Sequence, residues 1–216
     1  MNKNFNTILF DLDGTLVDSQ KGIFNALSYM VNERNLEKPS QEILRTFIGP
    51  PLPDSLRVHF HMNDREIDLA MKSYRSYYNE HGVHEYTVYQ DIELVLETLL
   101  RNGKTLGVAT SKPEEPAKRI IEHAGLSSYF ATITGATFDE SRSSKTQVIA
   151  TALERLHHPD KTQILMIGDR EHDMIGAQAN QIQAIGVTYG YGKKEEFLPF
   201  SPYAIIDSPK QLLTYV

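Results

Sequence analysis

Near its N-terminus the chain reads TILF over Thr7–Phe10, followed at once by DLDGT over Asp11–Thr15. A short, largely apolar stretch of this kind is typical of a strand that is buried on both faces of a parallel sheet. Because the carboxylates of Asp11 and Asp13 begin where this stretch ends, we expect the strand to present both in a loop at its carboxyl end. The same loop contains Gly14, which suits a tight turn.

From Tyr89 onward the chain alternates between strand-like and helix-like patterns of apolar residues. We predict helices at 92–101, 114–124, 145–156 and 172–180, and strands at 105–110, 132–134, 163–167, 184–187 and 204–206, with a last helix opened by Ser208 and Pro209. Such alternation is typical of an α/β fold. We therefore predict a doubly wound, mostly parallel sheet with helices on both faces.

Between the first strand and this alternating part lies a segment that has helical spacing only. We predict four helices in it, at 18–36, 40–47, 54–61 and 64–81, which are separated by proline, asparagine or glycine. This organisation predicts an α-helical domain of residues 16–82 that is inserted into an α/β core of residues 1–15 and 83–216.

The composition narrows the functional class before any motif is considered. Of 216 residues, 22 are Lys or Arg and 28 are Asp or Glu, and the resulting net charge of −6 argues against a nucleic-acid-binding surface. The chain has no cysteine, which excludes thiolate zinc sites and cysteine nucleophiles. Without a stretch of 18 apolar residues, we expect a cytoplasmic protein with no membrane partner. The oligomeric state stays open, a monomer included.

Polar side chains cluster where ligands bind in open parallel sheets, at the carboxyl ends of the strands. They share a position at a strand end or at the start of the next helix: Asp11, Asp13, Thr110, Ser111, Lys112, Lys145, Asp169 and Asp173. Carboxylates gathered in one crevice repel one another unless a cation or a shared proton compensates them. Oxygen ligands without cysteine suit Mg²⁺, which we therefore predict as the cofactor.

A phosphate group fits such a crevice. Phosphoryl transfer needs an in-line nucleophile, a proton donor for the leaving oxygen and positive charge around the phosphate oxygens. Asp11, Asp13, and Mg²⁺ with Lys145 would fill these roles. The predicted partner is accordingly a small phosphorylated metabolite.

Four parts of the sequence resemble, in order and position, the four motifs of the haloacid dehalogenase superfamily of phosphatases. They are FDLDGTLVDS at 10–19, ATSKP at 109–113, Lys145, and IGDREHD at 167–173. The inserted helical segment resembles that superfamily's small α-helical cap domain. FIGPPL at 47–52, SRSSK at 141–145 and GVTYGYG at 186–192 are similar to the phosphoglycolate-phosphatase-like branch, especially its 5′-nucleotidase-like members.

This resemblance implies Mg²⁺-dependent hydrolysis of small phosphomonoesters, with a nucleoside 5′-monophosphate or 2-phosphoglycolate as the substrate. It implies that Asp11 attacks phosphorus and becomes an aspartyl phosphate, while Asp13 serves as acid and then as base. Asp11, Asp169 and the backbone carbonyl of Asp13 would hold Mg²⁺. Asp173 would not bind Mg²⁺ directly but would help to hold the metal ligands in position.

The remaining roles implied by the resemblance concern phosphate binding and specificity. Thr110 and the Ser111 amide would bind a phosphate oxygen. Lys145 would hold the charges of nucleophile and phosphate, although Lys112 is also close to the phosphate-binding loop. A turn of Gly49, Pro50 and Pro51 is the candidate substrate-facing loop.

Two other functions stay open at this stage. A sugar-phosphate mutase of the same superfamily can use the same four motifs. A phospho-accepting signalling module also places an aspartate pocket, a Thr or Ser and a lysine at strand ends. Such modules lack the inserted helical domain, and the spacing of Asp11 and Asp13 supplies an acid/base that favours turnover.

Overall fold

A computed structural model describes residues 5–139 and 141–216. The described chain divides into two compact units: the residues up to Asp18 together with Val88–Val216, and Ser19–Thr87. We call the first the core unit and the second the helical unit. None of the described helices is both long enough and apolar enough to cross a membrane.

The core unit is built on a six-stranded sheet in the order β5-β4-β1-β6-β7-β8. Its strands are Thr7–Phe10 (β1), Thr105–Pro113 (β4), Thr132–Ala136 (β5), Ile164–Gly168 (β6), Gln183–Val187 (β7) and Ala204–Ile206 (β8). Every neighbouring pair is parallel. Two short strands, Val17–Asp18 (β2) and Thr87–Val88 (β3), pair with each other where the chain passes between the units.

The helical unit contains four α-helices followed by a 3₁₀ turn. They are Gln20–Glu33 (α1), Gln41–Arg45 (α2), Leu52–Phe60 (α3) and Asp64–Glu80 (α4), with the turn at Gly82–His84. Asn63 opens α4 with a capping box, in which its side chain accepts from the Glu66 amide and the Glu66 side chain accepts from the Asn63 amide. The apolar face of α1 is buried, and α1 packs against α4.

The core helices follow the strands in alternation. They are Ile92–Arg101 (α5), Glu114–His123 (α6), Lys145–Arg155 (α7), Glu171–Ala179 (α8) and Lys194–Phe197 (α9). Short 3₁₀ helices lie at Ser127–Tyr129, Lys161–Gln163, Leu198–Phe200 and Pro209–Thr214. Ser144 opens α7 with a capping box to Gln147, which fixes where the helix begins and therefore where Lys145 stands.

Both faces of the sheet are covered, as the apolar β1 sequence requires. Leu9 joins a buried cluster with residues of α7 and α8, among them Ile149 and Met174. Ile8 and Phe10, whose side chains alternate with Leu9 along the strand, are also buried. The predicted α/β fold with a mostly parallel sheet is confirmed.

Several details differ from the sequence predictions. The strand predicted to end at Thr110 continues to Pro113, because Pro113 pairs with Ala136 of β5 after an irregularity in the register. The helix predicted after Ser208 is a 3₁₀ helix, Pro209–Thr214. The short elements β2, β3 and α9 were not predicted, since two to four residues are too few to show a periodic pattern.

The units divide after Asp18 and after Thr87, a few residues beyond the predicted boundaries at 15/16 and 82/83. Residues 16–18 stay with the core, because the Val17 carbonyl accepts from the Gly14 amide at 2.8 Å and the Leu16 carbonyl accepts from the Tyr89 amide at 3.1 Å. Glu85 stays with the helical unit, where its carbonyl accepts from the amide of Gly22 at 3.0 Å.

Candidate active site

The sheet order brings the predicted site residues together. β1 lies between β4 and β6, so the loops that follow these three strands are neighbours at one edge of the sheet. β1 delivers Asp11 and Asp13, the carboxyl-terminal half of β4 carries Thr110, and β6 delivers Asp169. Lys145, at the start of α7, and Asp173, in the first turn of α8, complete the group.

Lys145 is the cation at the centre of this group. Its Nζ lies 2.8 Å from Asp11 Oδ1, 2.8 Å from Asp173 Oδ1 and 3.1 Å from the Ala109 carbonyl oxygen. Its side chain is only 3% exposed. Burial by itself lowers the pKa of the Lys145 ammonium, but the attraction of Asp11 and Asp173 outweighs burial and raises the pKa above its ordinary value. Lys145 is therefore charged at neutral pH.

Asp11 is held in one orientation. Its Oδ1 accepts from the Leu12 amide at 2.8 Å and also faces the Lys145 ammonium. Both of these contacts fall on Oδ1. The arrangement leaves Oδ2 as the oxygen that can reach a ligand.

Asp169 and Asp173 are more deeply buried than Asp11. Burial raises the pKa of Asp169 well above its ordinary value, and the charges of Asp11 and Asp173 raise it further. Burial raises the pKa of the Asp173 carboxyl to about 6, although the Lys145 charge opposes this shift. Both pKa values are raised for the same reason: the carboxylates are buried close together, and the positive charge around them is too small to offset burial and mutual repulsion.

The donor set fits a divalent cation. Oxygen atoms of Asp11, Asp169 and Asp173 lie within 4.8 Å of one another, and among the described residues this is the group of acidic or histidine side chains that could hold a metal ion. When all three carboxyls are ionised, the one Lys145 ammonium leaves two negative charges to be balanced. Asp169 Oδ1 is buried and has no hydrogen-bond partner in the described part of the chain. A hard cation such as Mg²⁺ would satisfy both the charge and this oxygen.

A second lysine, Lys112, forms an ion pair with Asp13, the other aspartate of the DLDGT motif. Lys112 Nζ lies 3.0 Å from Asp13 Oδ2, and both side chains are largely buried, at 7% and 14% exposure. By sequence, Lys112 and Lys145 are both candidates for the lysine that holds the charges of nucleophile and phosphate, and Lys145 is preferred. In the structure each lysine faces its own aspartate, Lys145 facing Asp11 and Lys112 facing Asp13.

Thr110 and Ser111 lie where β4 reaches this edge of the sheet. Thr110 is buried, and its hydroxyl oxygen accepts from the Lys112 amide at 3.2 Å. The hydroxyl proton of Thr110 is thus available for donation to a ligand. Ser111 is partly exposed.

The fold and this site agree with one protein family. Residues 8–187 match the model of that family, described as haloacid dehalogenase-like hydrolase. The chain belongs to the haloacid dehalogenase-like hydrolases.

Relatives of this hydrolase include enzymes with phosphate chemistry. A 5′-nucleotidase of Pseudomonas aeruginosa is 35% identical over 195 residues, which cover 90% of this chain and 88% of that protein. Tyrosine-protein kinase PtkA of Mycobacterium tuberculosis is 37% identical over 188 residues, which cover 87% of this chain and 64% of that protein. A solved structure, a predicted phosphatase from Clostridium acetobutylicum, superimposes with a TM-score of 0.91 at 39% identity, covering 98% of this chain and 99% of that one. This haloacid dehalogenase-like hydrolase is a phosphoric monoester hydrolase.

The candidate substrate loop of the hydrolase lies in its helical unit. Gly49 has a positive φ of 108°, and Pro50 and Pro51 lead into α3. The adjacent Phe47 is buried, with its ring 5.1 Å from that of His59. Packing of Phe47 therefore holds the chain just before the turn, and contact of the turn with substrate stays a prediction.

By sequence alone, YGYG at 189–192 is compatible with a loop that lines the crevice or with a plain connection. In the hydrolase fold the Tyr191 amide donates to Asp169 Oδ2 at 2.8 Å. A Cβ added to Gly190 would lie 2.2 Å from the Gly14 carbonyl oxygen, so only glycine permits this approach. The alternation of glycine and tyrosine directly after a strand end was the signal for such close packing.

Proposed function

We propose that the enzyme hydrolyses small phosphomonoesters through an aspartyl phosphate formed on Asp11, with Mg²⁺ as its cofactor. The observation that carries this proposal is the orientation of Asp11. Lys145 and the Leu12 amide both engage Oδ1 at 2.8 Å, which leaves Oδ2 for attack on phosphorus. A carboxylate held rigidly with one oxygen available is what an in-line displacement needs.

In the first half-reaction, Asp11 Oδ2 forms a bond to phosphorus as the bond from phosphorus to the leaving oxygen breaks. Asp13 donates a proton to that oxygen, so that the product leaves as an alcohol. In the second, water attacks phosphorus and gives its proton to Asp13, and the acyl phosphate bond breaks. Inorganic phosphate and the Asp11 carboxylate result.

Phosphate binding is assigned to three groups around this carboxylate. The Thr110 hydroxyl and the Ser111 amide would donate hydrogen bonds to phosphate oxygens. Lys145, already within 2.8 Å of Asp11, would place its charge beside the transferred group.

The residues that would hold Mg²⁺ are Asp11, Asp169 and the backbone carbonyl of Asp13. When bound, Mg²⁺ supplies positive charge that offsets repulsion between the substrate phosphate and the carboxylates. Asp173 would act through Lys145, which it contacts at 2.8 Å.

For the substrate we propose a nucleoside 5′-monophosphate or 2-phosphoglycolate. The first is supported by the 5′-nucleotidase of Pseudomonas aeruginosa, which shares 35% identity with this chain. The second rests on the resemblance of the motif set to the phosphoglycolate-phosphatase-like branch. The helical unit, with its Gly49–Pro51 turn, is proposed to be the cap domain that selects between them.

The test is phosphate release from a panel of nucleoside 5′-monophosphates, 2-phosphoglycolate, sugar phosphates and pyrophosphate, each with Mg²⁺ and with EDTA. We expect release from one class of monoester, loss of this activity in EDTA, and recovery when excess Mg²⁺ is added. Equal rates with and without chelator would contradict the role of Mg²⁺. Failure of the folded protein to release phosphate from any compound would contradict the proposed function.

The same panel separates hydrolysis from the two other phosphoryl-transfer functions. A sugar-phosphate mutase would convert a sugar phosphate into its isomer with little free phosphate. A phospho-accepting module would be labelled once per chain without continued release. Catalytic release over many turnovers is the expected result, because Asp13 supplies the acid/base that discharges the acyl phosphate.

Replacing Asp13 separates the two half-reactions. The substitution Asp13→Asn should lower steady-state phosphate release by about 10²–10⁴, the usual contribution of a positioned acid/base. With p-nitrophenyl phosphate, whose leaving group needs no proton, the variant should still be phosphorylated, and the aspartyl phosphate should accumulate in acid-quenched samples. The matched control is Asp68→Asn on the exposed face of α4, which should keep the wild-type rate. A wild-type rate for Asp13→Asn would exclude its acid/base role.

A further inference from the structure

The loop after β7 contacts Asp169, a buried carboxylate of the site in which one oxygen has no hydrogen-bond partner among the described residues. The amide of Tyr191 donates to Asp169 Oδ2 at 2.8 Å, while Asp169 Oδ1 has no partner among the described residues. The loop itself, residues 188–193, belongs to neither helix nor strand. Its first residue, Thr188, donates its amide to the Ile206 carbonyl oxygen at 2.9 Å, and side-chain contacts of the tyrosines hold the loop further along.

The side chain of Tyr191 supplies such a contact at a distance from the site. Its hydroxyl donates to Asp18 Oδ1 at 2.8 Å. Asp18 ends β2 and is the last residue of the core unit before the chain enters the helical unit. The acceptor is thus a charged group on a different segment, which makes the hydrogen bond strong.

Two neighbouring tyrosines strengthen this attachment. The Tyr189 hydroxyl donates to the Thr15 carbonyl oxygen at 3.1 Å. The ring of Tyr89 lies 5.1 Å from that of Tyr189, in an edge-to-face arrangement. The loop is consequently fastened to the segment 15–18 and to the returning segment at Tyr89.

We propose that Tyr191 is a positioning residue for Asp169, and that Asp18 is the anchor through which it acts. The hydroxyl bond to Asp18 fixes the Tyr191 ring and backbone, and the Tyr191 amide then holds Asp169 Oδ2, which leaves Oδ1 for the cation. Removal of the anchor lets the Asp169 carboxylate rotate and weakens cation binding. This inference rests on the proposed function only in taking Asp169 as a Mg²⁺ ligand.

The experiment is a double-mutant cycle with Tyr191→Phe, Asp18→Ala and the combined variant. Mg²⁺ affinity is measured without substrate, from the rise in melting temperature over a Mg²⁺ titration and by calorimetry. We expect each single variant to bind Mg²⁺ about tenfold more weakly, the lower end of the range for groups that orient metal ligands. The combined variant should be no weaker than either single variant, because the Tyr191–Asp18 hydrogen bond is lost in all three.

The matched control is Tyr215→Phe. Tyr215 packs on Tyr203, which in turn contacts Phe5 at the amino end of β1, away from the carboxyl-end site. This variant should bind Mg²⁺ like the wild type. At saturating Mg²⁺, Tyr191→Phe should recover most of the wild-type kcat, while its half-saturating Mg²⁺ concentration stays raised.

Wild-type Mg²⁺ affinity in Tyr191→Phe would overturn the proposal, even if the variant melts at a lower temperature. Independent, additive losses in the cycle would also overturn it, since they would mean that Tyr191 does not act through Asp18. These readouts do not require turnover. A wild type that binds Mg²⁺ but releases no phosphate would therefore refute the proposed function and leave the positioning role of Tyr191 standing.

Discussion

Asp11→Asn should lower phosphate release by about 10⁴-fold or more while leaving the protein folded. An amide at this position cannot attack phosphorus to give an acyl phosphate, and loss of the nucleophile removes the whole covalent route. The fold should be unaffected, because the substitution removes one of three crowded carboxylates and Lys145 keeps its contact with Asp173 at 2.8 Å. The measurements are steady-state phosphate release, acid-quenched labelling of the protein, and thermal melting.

The outcome for Asp11→Asn has two informative parts. No labelled protein should be recovered from this variant, in contrast to Asp13→Asn, which should accumulate label. The melting temperature without Mg²⁺ should be equal to or above that of the wild type, because repulsion with Asp169 and Asp173 is reduced. Retention of a labelled intermediate, or of wild-type release, would show that another residue is the nucleophile.

Lys145→Met should destabilise the metal-free protein by about 3–5 kcal/mol, the cost of leaving buried charges without their partner. The ammonium lies within 2.8 Å of both Asp11 and Asp173, whose side chains are 11% and 1% exposed. Urea denaturation at neutral pH measures this change in the free energy of unfolding. Phosphate release should fall by about 10²–10³ as well, because one preorganised positive charge beside the transferred group is lost.

An exposed lysine–aspartate pair provides the control for this effect. Lys210 Nζ lies 3.0 Å from Asp91, and the lysine side chain is 55% exposed. Lys210→Met should therefore change the free energy of unfolding by less than about 1 kcal/mol. Added Mg²⁺ should restore part of the stability lost in Lys145→Met, since a cation can compensate the same carboxylates. Equal stability of the two lysine variants would mean that Lys145 does not compensate the buried charges.

The local pattern of apolar and polar residues along the chain was sufficient to predict most of the fold. The apolar stretch Thr7–Phe10 is typical of a strand that is buried inside a parallel sheet, and the alternation of strand-like and helix-like patterns after Tyr89 predicts a helix after each of several strands. Because strand ends of a parallel sheet meet at one edge, the positions of Asp11, Thr110 and Asp169 along the chain already implied one site. The short elements β2, β3 and α9 could not be predicted this way, since their existence depends on distant pairing partners.

The residue types and the family follow from the sequence alone, through four motifs whose order and spacing are covalent properties of the chain. The pairing of these groups is visible only in the folded chain: Lys145 with Asp11 and Asp173, Lys112 with Asp13, and the Tyr191 amide with Asp169. Tyr191 and Asp169 are separated by 22 residues, and Tyr191 and Asp18 by 173. The physical reason is that hydrogen bonds and ion pairs act over about 3 Å in space. Folding alone sets such distances between segments that are remote along the chain.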